Sequence, residues 1–415
     1  MGSAPAAADE DVSSPGFSVG RLIDTGGLGG SLRAGYWSSS RTLDDRSDLG
    51  TAAVWLRAAP ALGPSLSLFA EGWVRSEDIF GDGEPDGLLR EAYLGVRHGP
   101  LDVRAGKQII VWGRADRINP TDNLTPRDYT LLVPDDEDQR FGAPAVRATY
   151  FHRGLALTGV WLLDFEPSVV PLRRPPAPLK IQDREPGGGF EQGAVRLEQS
   201  GSGVDWSLSY FDGLDTIPDL ALEPTGSRGR ELVLRSHRVR VVGVDAATVV
   251  GPYGLRGEAA YTFTEDEDGD DPGIKNPFLF VVVGADRTFL EHLNVNVQYI
   301  LRVVTRYRSP FGIADPLARE VAVQAALLVD QLDHVQHSFS LRVSHRWLHE
   351  TLEAELATIV SVDRFGWVLR PRVTYALTDR WRLTVGGDLF GGERLSFFGN
   401  LRDNSAAFAE LRWSF

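Results

Sequence analysis

Apolar and polar residues alternate along this chain with a period of two. In the last nine residues Ala407, Ala409, Leu411, Trp413 and Phe415 are apolar, while Glu410, Arg412 and Ser414 stand between them and only Phe408 breaks the rule. Successive side chains of a strand point to opposite faces, so the pattern predicts a strand with one apolar and one polar face. The same grammar recurs upstream. Trp381, Leu383, Val385 and Leu389 oppose Arg382, Thr384 and Asp388. Leu293, Val295, Val297, Tyr299 and Leu301 oppose Asn294, Asn296, Gln298 and Arg302, and Leu155, Leu157, Trp161, Leu163 and Phe165 form another apolar face. Read from Ser31 onward, the pattern predicts about eighteen strands.

The connections are sorted by length. Short turns fall at Leu62-Gly63-Pro64, His98-Gly99-Pro100, His152-Arg153-Gly154, 200–203, Gly251-Pro252 and Thr378-Asp379-Arg380. Long ones fall near 38–48, 77–87, 109–142, 166–189, 213–236, 265–276, 304–335 and 391–405. One end of the structure is therefore trimmed and the other elaborated, as in outer-membrane barrels with short periplasmic turns and long outer loops. Residues 315–333 suit both a helical face and a strand. A helix inside an outer loop keeps the strand count even, and that reading is adopted. Phe17–Asp24 reads as a lead-in to the barrel. Residues 1–16, with Met1-Gly2-Ser3 resembling an expression scar, read as a disordered segment left after removal of an export signal. Residues 17–415 form the barrel.

Composition narrows the choice. No stretch of eighteen apolar residues occurs, so a helical membrane protein is excluded, whereas barrel strands need only about 9–11 residues, half of them polar. A soluble β-sandwich would also alternate, but it has no reason to sort its loops by parity. Tyr261, Tyr299, Trp161, Trp347, Trp367, Trp381 and Trp413 fall near strand ends on the apolar face, where interfacial girdles lie; Trp73 falls on the inward register. With no Cys there is no disulfide or thiolate metal site, and a net charge of −14 argues against nucleic-acid binding. The reading is an all-β transmembrane antiparallel β-barrel in the outer membrane of a Gram-negative bacterium, in contact with outer-membrane lipids.

The polar face carries charge of both signs. Arginines 33, 57, 75, 104, 147, 196, 256, 302, 342, 370, 382 and 412 point inward, as do Glu71, Glu91, Asp102, Glu198, Asp205, Asp245, Glu258, Glu353, Glu355, Asp388 and Glu410. These charges suit a structural ion-pair lattice, and equally a wet path that selects a solute. Residues 109–128 form a loop dense in Trp, Arg, Asp, Asn and Pro. Trp112, Arg114, Asp116, Arg117, Asn119 and Asp122 are the candidate constriction, with Arg104 and Arg147 as lumen charges; the bland alternative is a self-satisfied loop knot. Asp266, Asp268 and Asp270 are a weak calcium candidate, but a solvated acidic loop is the stronger reading there and at 135–138. No catalytic site, metal spacing or cofactor motif emerges. An enzyme would need a serine near His237, His337 or His345, and no GxSxG elbow is present.

GKQIIVWGRADRINPTD (106–122), GPYGLRGEAAYTF (251–263), LNVNVQYI (293–300) and the C-terminal stretch from Gly386 resemble an uncharacterised proteobacterial family of outer-membrane barrels, itself similar to alginate-export and porin-type barrels. The resemblance implies a transport role, and partnership with an inner-membrane RND-type exporter and an outer-membrane lipoprotein-like protein, with a lipid or poorly soluble cargo. It supplies no catalytic residues. A last strand ending in Trp413-Ser414-Phe415 resembles the signal read by the barrel-assembly machinery. The expected function is an outer-membrane channel or export conduit narrowed by the 109–142 loop. A barrel enzyme or structural interaction barrel is the remaining alternative.

Overall fold

A computed structural model describes residues 27–415 apart from 41–46, 61, 82, 173–178, 185, 187–190, 202 and 226–228. The segments read as an N-terminal tail and as a lead-in at Phe17–Asp24 lie outside the described residues. Eighteen antiparallel strands form one sheet, from Leu28–Ser39 to Ala406–Ser414. The first strand pairs with Asp48–Ala58 on one side and with Ala406–Ser414 on the other, so the sheet closes on itself. Closure leaves no strand edge unpaired, which a bilayer requires because it offers backbone groups no water.

The alternation sorts side chains as expected. Leu32, Leu157, Trp161, Val283 and Leu411 lie on the outer surface, Trp161 with 60% of its area exposed. An apolar belt of this kind on a soluble protein would be an aggregation surface; on a barrel it is the hydrocarbon contact. Phe408, the exception in the last strand, faces inward and stacks on Trp37 with ring centroids 4.4 Å apart. Trp73 also points inward, 6.3 Å from Trp55. A bulge at Glu71/Gly72 inserts Arg90 as an extra residue opposite that strand. Arg90 and Glu91 consequently both reach the lumen, which a strict period of two does not allow.

The end bearing the long loops holds two features the alternation did not resolve. Residues 166–189 and 213–236, read as plain loops, contribute a small sheet of Ile181–Asp183, Asp219–Thr225 and Gly229–Arg235. Residues 315–333 contain a helix, Pro316–Leu328, with Asp315 as its N-cap accepting from the Ala318 N–H at 2.9 Å. Helix and sheet share a core of Leu220, Leu232 and Val321, with Leu222, Leu234 and Leu317 packed around it. Arg230 bonds both carboxylate oxygens of Asp315 at 3.0 and 2.8 Å, joining the hairpin to the helix start. The inward Arg302 donates to the Val329 carbonyl at the helix end, where a cation suits the backbone dipole. One connection at this end is short, 362–365, so loop length follows parity with a single exception.

Candidate lumen constriction

The segment between Gln108 and Ala143 leaves the wall and enters the bore. Gln108 is buried, and its side-chain amide donates to the Ala145 carbonyl at 2.9 Å. The next N–H, of Ile109, donates to Glu91 at 2.8 Å and turns the chain inward. Ile110, Trp112 and Leu124 then pack on inward-facing Val160, Leu162 and Phe211 in an apolar cluster that extends to Val239 and Val241. Farther along, Leu131 and Val133 pack with Trp55 and Trp73, and Leu132 packs on Trp37 and Phe408.

Glu258 grips the loop beyond the Trp112 cluster. Its carboxylate accepts the N–H groups of Arg114 (3.0 Å), Ala115 (3.2 Å) and Thr121 (2.7 Å) and the Thr121 hydroxyl (2.8 Å). Only 2% of Glu258 is exposed, so these donors replace the water the carboxylate has lost. Gly113 makes the approach possible. Its φ is +101°, and a Cβ there would stand 2.6 Å from both Glu258 oxygens.

From this grip the loop is tied around the wall by charge. Arg114 reaches Asp245 and Glu198, each at 2.6 Å. Asp116 pairs with Arg342 at 2.7 Å, while its backbone N–H and carbonyl bond the Gln298 amide at 2.8 and 3.0 Å. Arg117, at φ +67°, pairs with Glu355 at 2.7 Å. The Asn119 carbonyl accepts the Asp122 N–H at 3.1 Å, closing the turn that Asn119-Pro120-Thr121-Asp122 predicts. Asp122 turns back on the loop and binds Arg140 at 2.6 Å and Arg127 at 3.4 Å.

The return limb corrects one expectation. Residues 135–138 read as a solvated acidic loop; Asp135 and Glu137 are exposed, yet Asp136 and Asp138 are fastened to the opposite wall. Asp136 pairs with Arg370 at 2.6 Å, and Arg370 in turn with Asp388 at 2.5 Å. Asp138 pairs with Arg33 at 2.5 Å and lies 3.7 Å from Arg412. Burial pushes the Asp136 carboxyl up, but the Arg370 guanidinium outweighs it, and with Arg117 and Arg372 holds the group below the usual carboxylate range. Arg90 donates to the Arg140 carbonyl at 2.9 Å and pairs with Glu71. Arg75 donates to the Leu132 carbonyl. The loop is therefore both self-tied, through Asp122 and Arg140, and bound around most of the circumference.

The structure thus brings Trp112, Arg114, Asp116, Arg117, Asn119 and Asp122 into one inserted loop. Arg104 and Arg147 stand apart from it. They lie directly opposite each other in neighbouring strands, nearer the short-turn end. Arg104 sits 3.4 Å from Asp102 and 5.3 Å over the Tyr93 ring. Among the described residues, no carboxylate lies within ion-pair distance of Arg147. The wall partners Glu258, Asp245, Glu198, Arg342 and Glu355 were legible as inward charges, but not as anchors of this loop.

The remaining candidates take structural positions. Trp413 and Phe415 face outward beside Trp381, with Trp413 5.3 Å from Phe415. The Phe415 backbone exchanges two hydrogen bonds with Gly30, both 3.1 Å, at the closing seam. Asp266 is no convergent calcium ligand, since its two oxygens accept the N–H groups of Asp270 and Asp271, each at 3.0 Å. Among the described residues, no group of three acidic or histidine side chains converges as a metal site there or elsewhere. His237 is bonded to Asp219 at 2.9 Å, His337 to Tyr299 at 2.7 Å, and His345 stacks on Trp347 at 4.1 Å.

No family model matches the chain, and no curated protein does. Solved structures do. The outer membrane protein OpdK of Pseudomonas aeruginosa aligns with a TM-score of 0.57 at 10% identity, over 94% of this chain and 98% of that one. OpdL of the same organism gives 0.55 at 12%, over 94% and 98%. OccAB4 of Acinetobacter baumannii gives 0.54 at 8%, over 94% and 97%. The fold is that of an outer-membrane barrel. The short turns are then the periplasmic end and the long loops the outer end. The narrower family resemblance carried by 106–122 is not supported by any matching family model.

Proposed function

We propose that this barrel is an outer-membrane channel whose bore is set by the inserted loop 109–142. The observation that carries the reading is the ring of bonds from that loop to the wall: Glu258, Asp245 and Arg342 on one side, Arg370, Arg33 and Arg90 on the other. A segment merely filling space needs no such distribution of anchors. A segment defining a bore must be held at a fixed distance from every wall. Beneath it, on the periplasmic side, Arg147 has no carboxylate within ion-pair distance among the described residues and faces Arg104 across the ladder. Fixed positive charge in a narrow wet passage raises the local concentration of anions, so the channel would favour small anions.

Planar-bilayer recording of the purified chain tests this. The intact protein should give a small, anion-preferring conductance, and deletion of 109–128 should enlarge it. Arg147→Ala should lower the anion-to-cation permeability ratio without changing pore size. Silence from both the intact and the deleted forms would sink the channel reading. A bore found filled with co-purified lipid would point to a conduit for poorly soluble cargo.

A further inference from the structure

We propose that Arg287, on the membrane-facing surface, holds the phosphate of an anionic phospholipid in the periplasmic leaflet. Arg287 lies on the strand Phe278–Phe289, on the same face as Val283 and Phe289, which are 53% and 37% exposed. It precedes the short turn 290–292 by three residues, about 10 Å along a strand, which is headgroup depth. Tyr253 and Phe289 flank it, with ring centroids 5.0 and 4.5 Å from the guanidinium carbon.

An arginine on the lipid face is costly unless its charge is met. Other outward basic groups meet theirs within the chain. Arg240, near the outer end, pairs with Glu267 at 3.1 Å, and Lys107 lies 3.7 Å from Glu166. Arg287 has one bond, from Nη1 to the Tyr253 hydroxyl at 2.9 Å, and its Nε has no acceptor. Among the described residues, no carboxylate lies within ion-pair distance of it. The aromatic rings satisfy the guanidinium faces and leave the charge unneutralised. The group within reach at that depth that carries full negative charge and accepts several hydrogen bonds is a lipid phosphate, which a guanidinium binds in a bidentate manner. A second unmet polar atom marks the same patch: the Nδ1 of His345, paired through Leu293 with Phe289 across the ladder.

The site rests on the membrane placement of the barrel and not on channel activity, so it stands or falls separately from the function proposed above. Native mass spectrometry of the detergent-purified chain, offered phosphatidylglycerol and phosphatidylcholine with the same acyl chains, reads it directly. The intact protein should carry phosphatidylglycerol in preference by about five-fold, the factor expected of one basic residue at an anionic surface. Arg287→Gln should abolish the preference, Arg287→Lys should keep part of it, and Arg240→Gln should leave it unchanged. Equal loading of the two lipids on the intact protein, or an undiminished preference in Arg287→Gln, would overturn the assignment.

Discussion

The inserted loop and the outer lobe both belong to long connections, yet they divide the work between charge and apolar packing differently. The loop 109–142 packs on apolar wall at Ile110, Trp112 and Leu124, at Leu131 and Val133, and at Leu132, and between these points it is fastened by carboxylate and guanidinium groups on the lumen wall. The lobe, built from the small sheet and the helix Pro316–Leu328, has a core of its own around Leu220, Leu232 and Val321. The difference follows from surroundings. A loop inside a largely polar cylinder meets apolar wall only at patches around Phe211, Trp55 and Trp37, so directional bonds fix the stretches between them, each tying one residue to one strand. The lobe stands outside the wall and must exclude water by itself, so it buries leucine and valine. Charge fixes position, whereas apolar packing fixes a folded unit without specifying where each atom sits.

The largest break should come at Glu258. Glu258→Ala leaves three backbone N–H groups and one hydroxyl without their acceptor, at about 1–3 kcal/mol for each donor that finds no water. Hydrogen exchange across 113–121 should accelerate and single-channel current should become noisy, while exchange in the lobe stays as it was. Protection of 113–121 equal to that of the parent would mean that packing, not charge, holds the loop. Next in size is Leu220→Ala, which should cost the lobe about 2–5 kcal/mol. Exchange should rise in 219–235 and 316–328, with barrel melting unchanged.

Salt should separate the two regions more gently. Between 0.1 and 1 M the screening length falls from about 10 to about 3 Å. The partly exposed Arg117–Glu355 pair should loosen, whereas Arg114–Asp245 should hold because Asp245 is 1% exposed. Exchange at 220–222 in the lobe should barely respond. The smallest effect is on acid titration. The Asp315 carboxyl is drawn down to about 2, first by the Arg230 hydrogen bond and then by the Ala318 N–H. A depressed carboxyl contributes above its ordinary value and loses that contribution as pH falls through the lowered one. The Arg230 link should therefore persist at pH 3 and open near pH 2, as a carboxyl resonance at Asp315 would record. Titration near 4 would show the link to be absent in solution.

Much of the barrel was legible because its physics is local. Hydrocarbon outside and water inside impose a period of two on every strand, so Trp381, Leu383 and Val385 declare their face without reference to any neighbour. Closure also requires an even set of spans when both termini share one side, and loop parity carried that information. Less of the loop was legible. Trp112, Arg114 and Asp116 stood out by type, and Asn119-Pro120 announced a turn. The acidic run 135–138 looked like any solvated stretch, since nothing in Asp-Asp-Glu-Asp distinguishes a carboxylate facing bulk water from one facing Arg370. The hairpin at 219–235 alternated too briefly to separate from its loop.

The sequence alone determined the strand grammar, the sign of each face and the segment rich enough in charge to enter the bore. Only the tertiary structure decided which wall residue each loop charge meets. Arg114 and Asp245 are 131 positions apart. Their pairing depends on barrel curvature, and the bond from Arg90 to the Arg140 carbonyl depends on a bulge at Glu71/Gly72 that puts Arg90 where the alternation forbids it. Side-chain periodicity is a property of one strand, whereas partnership across a lumen is a property of the closed cylinder.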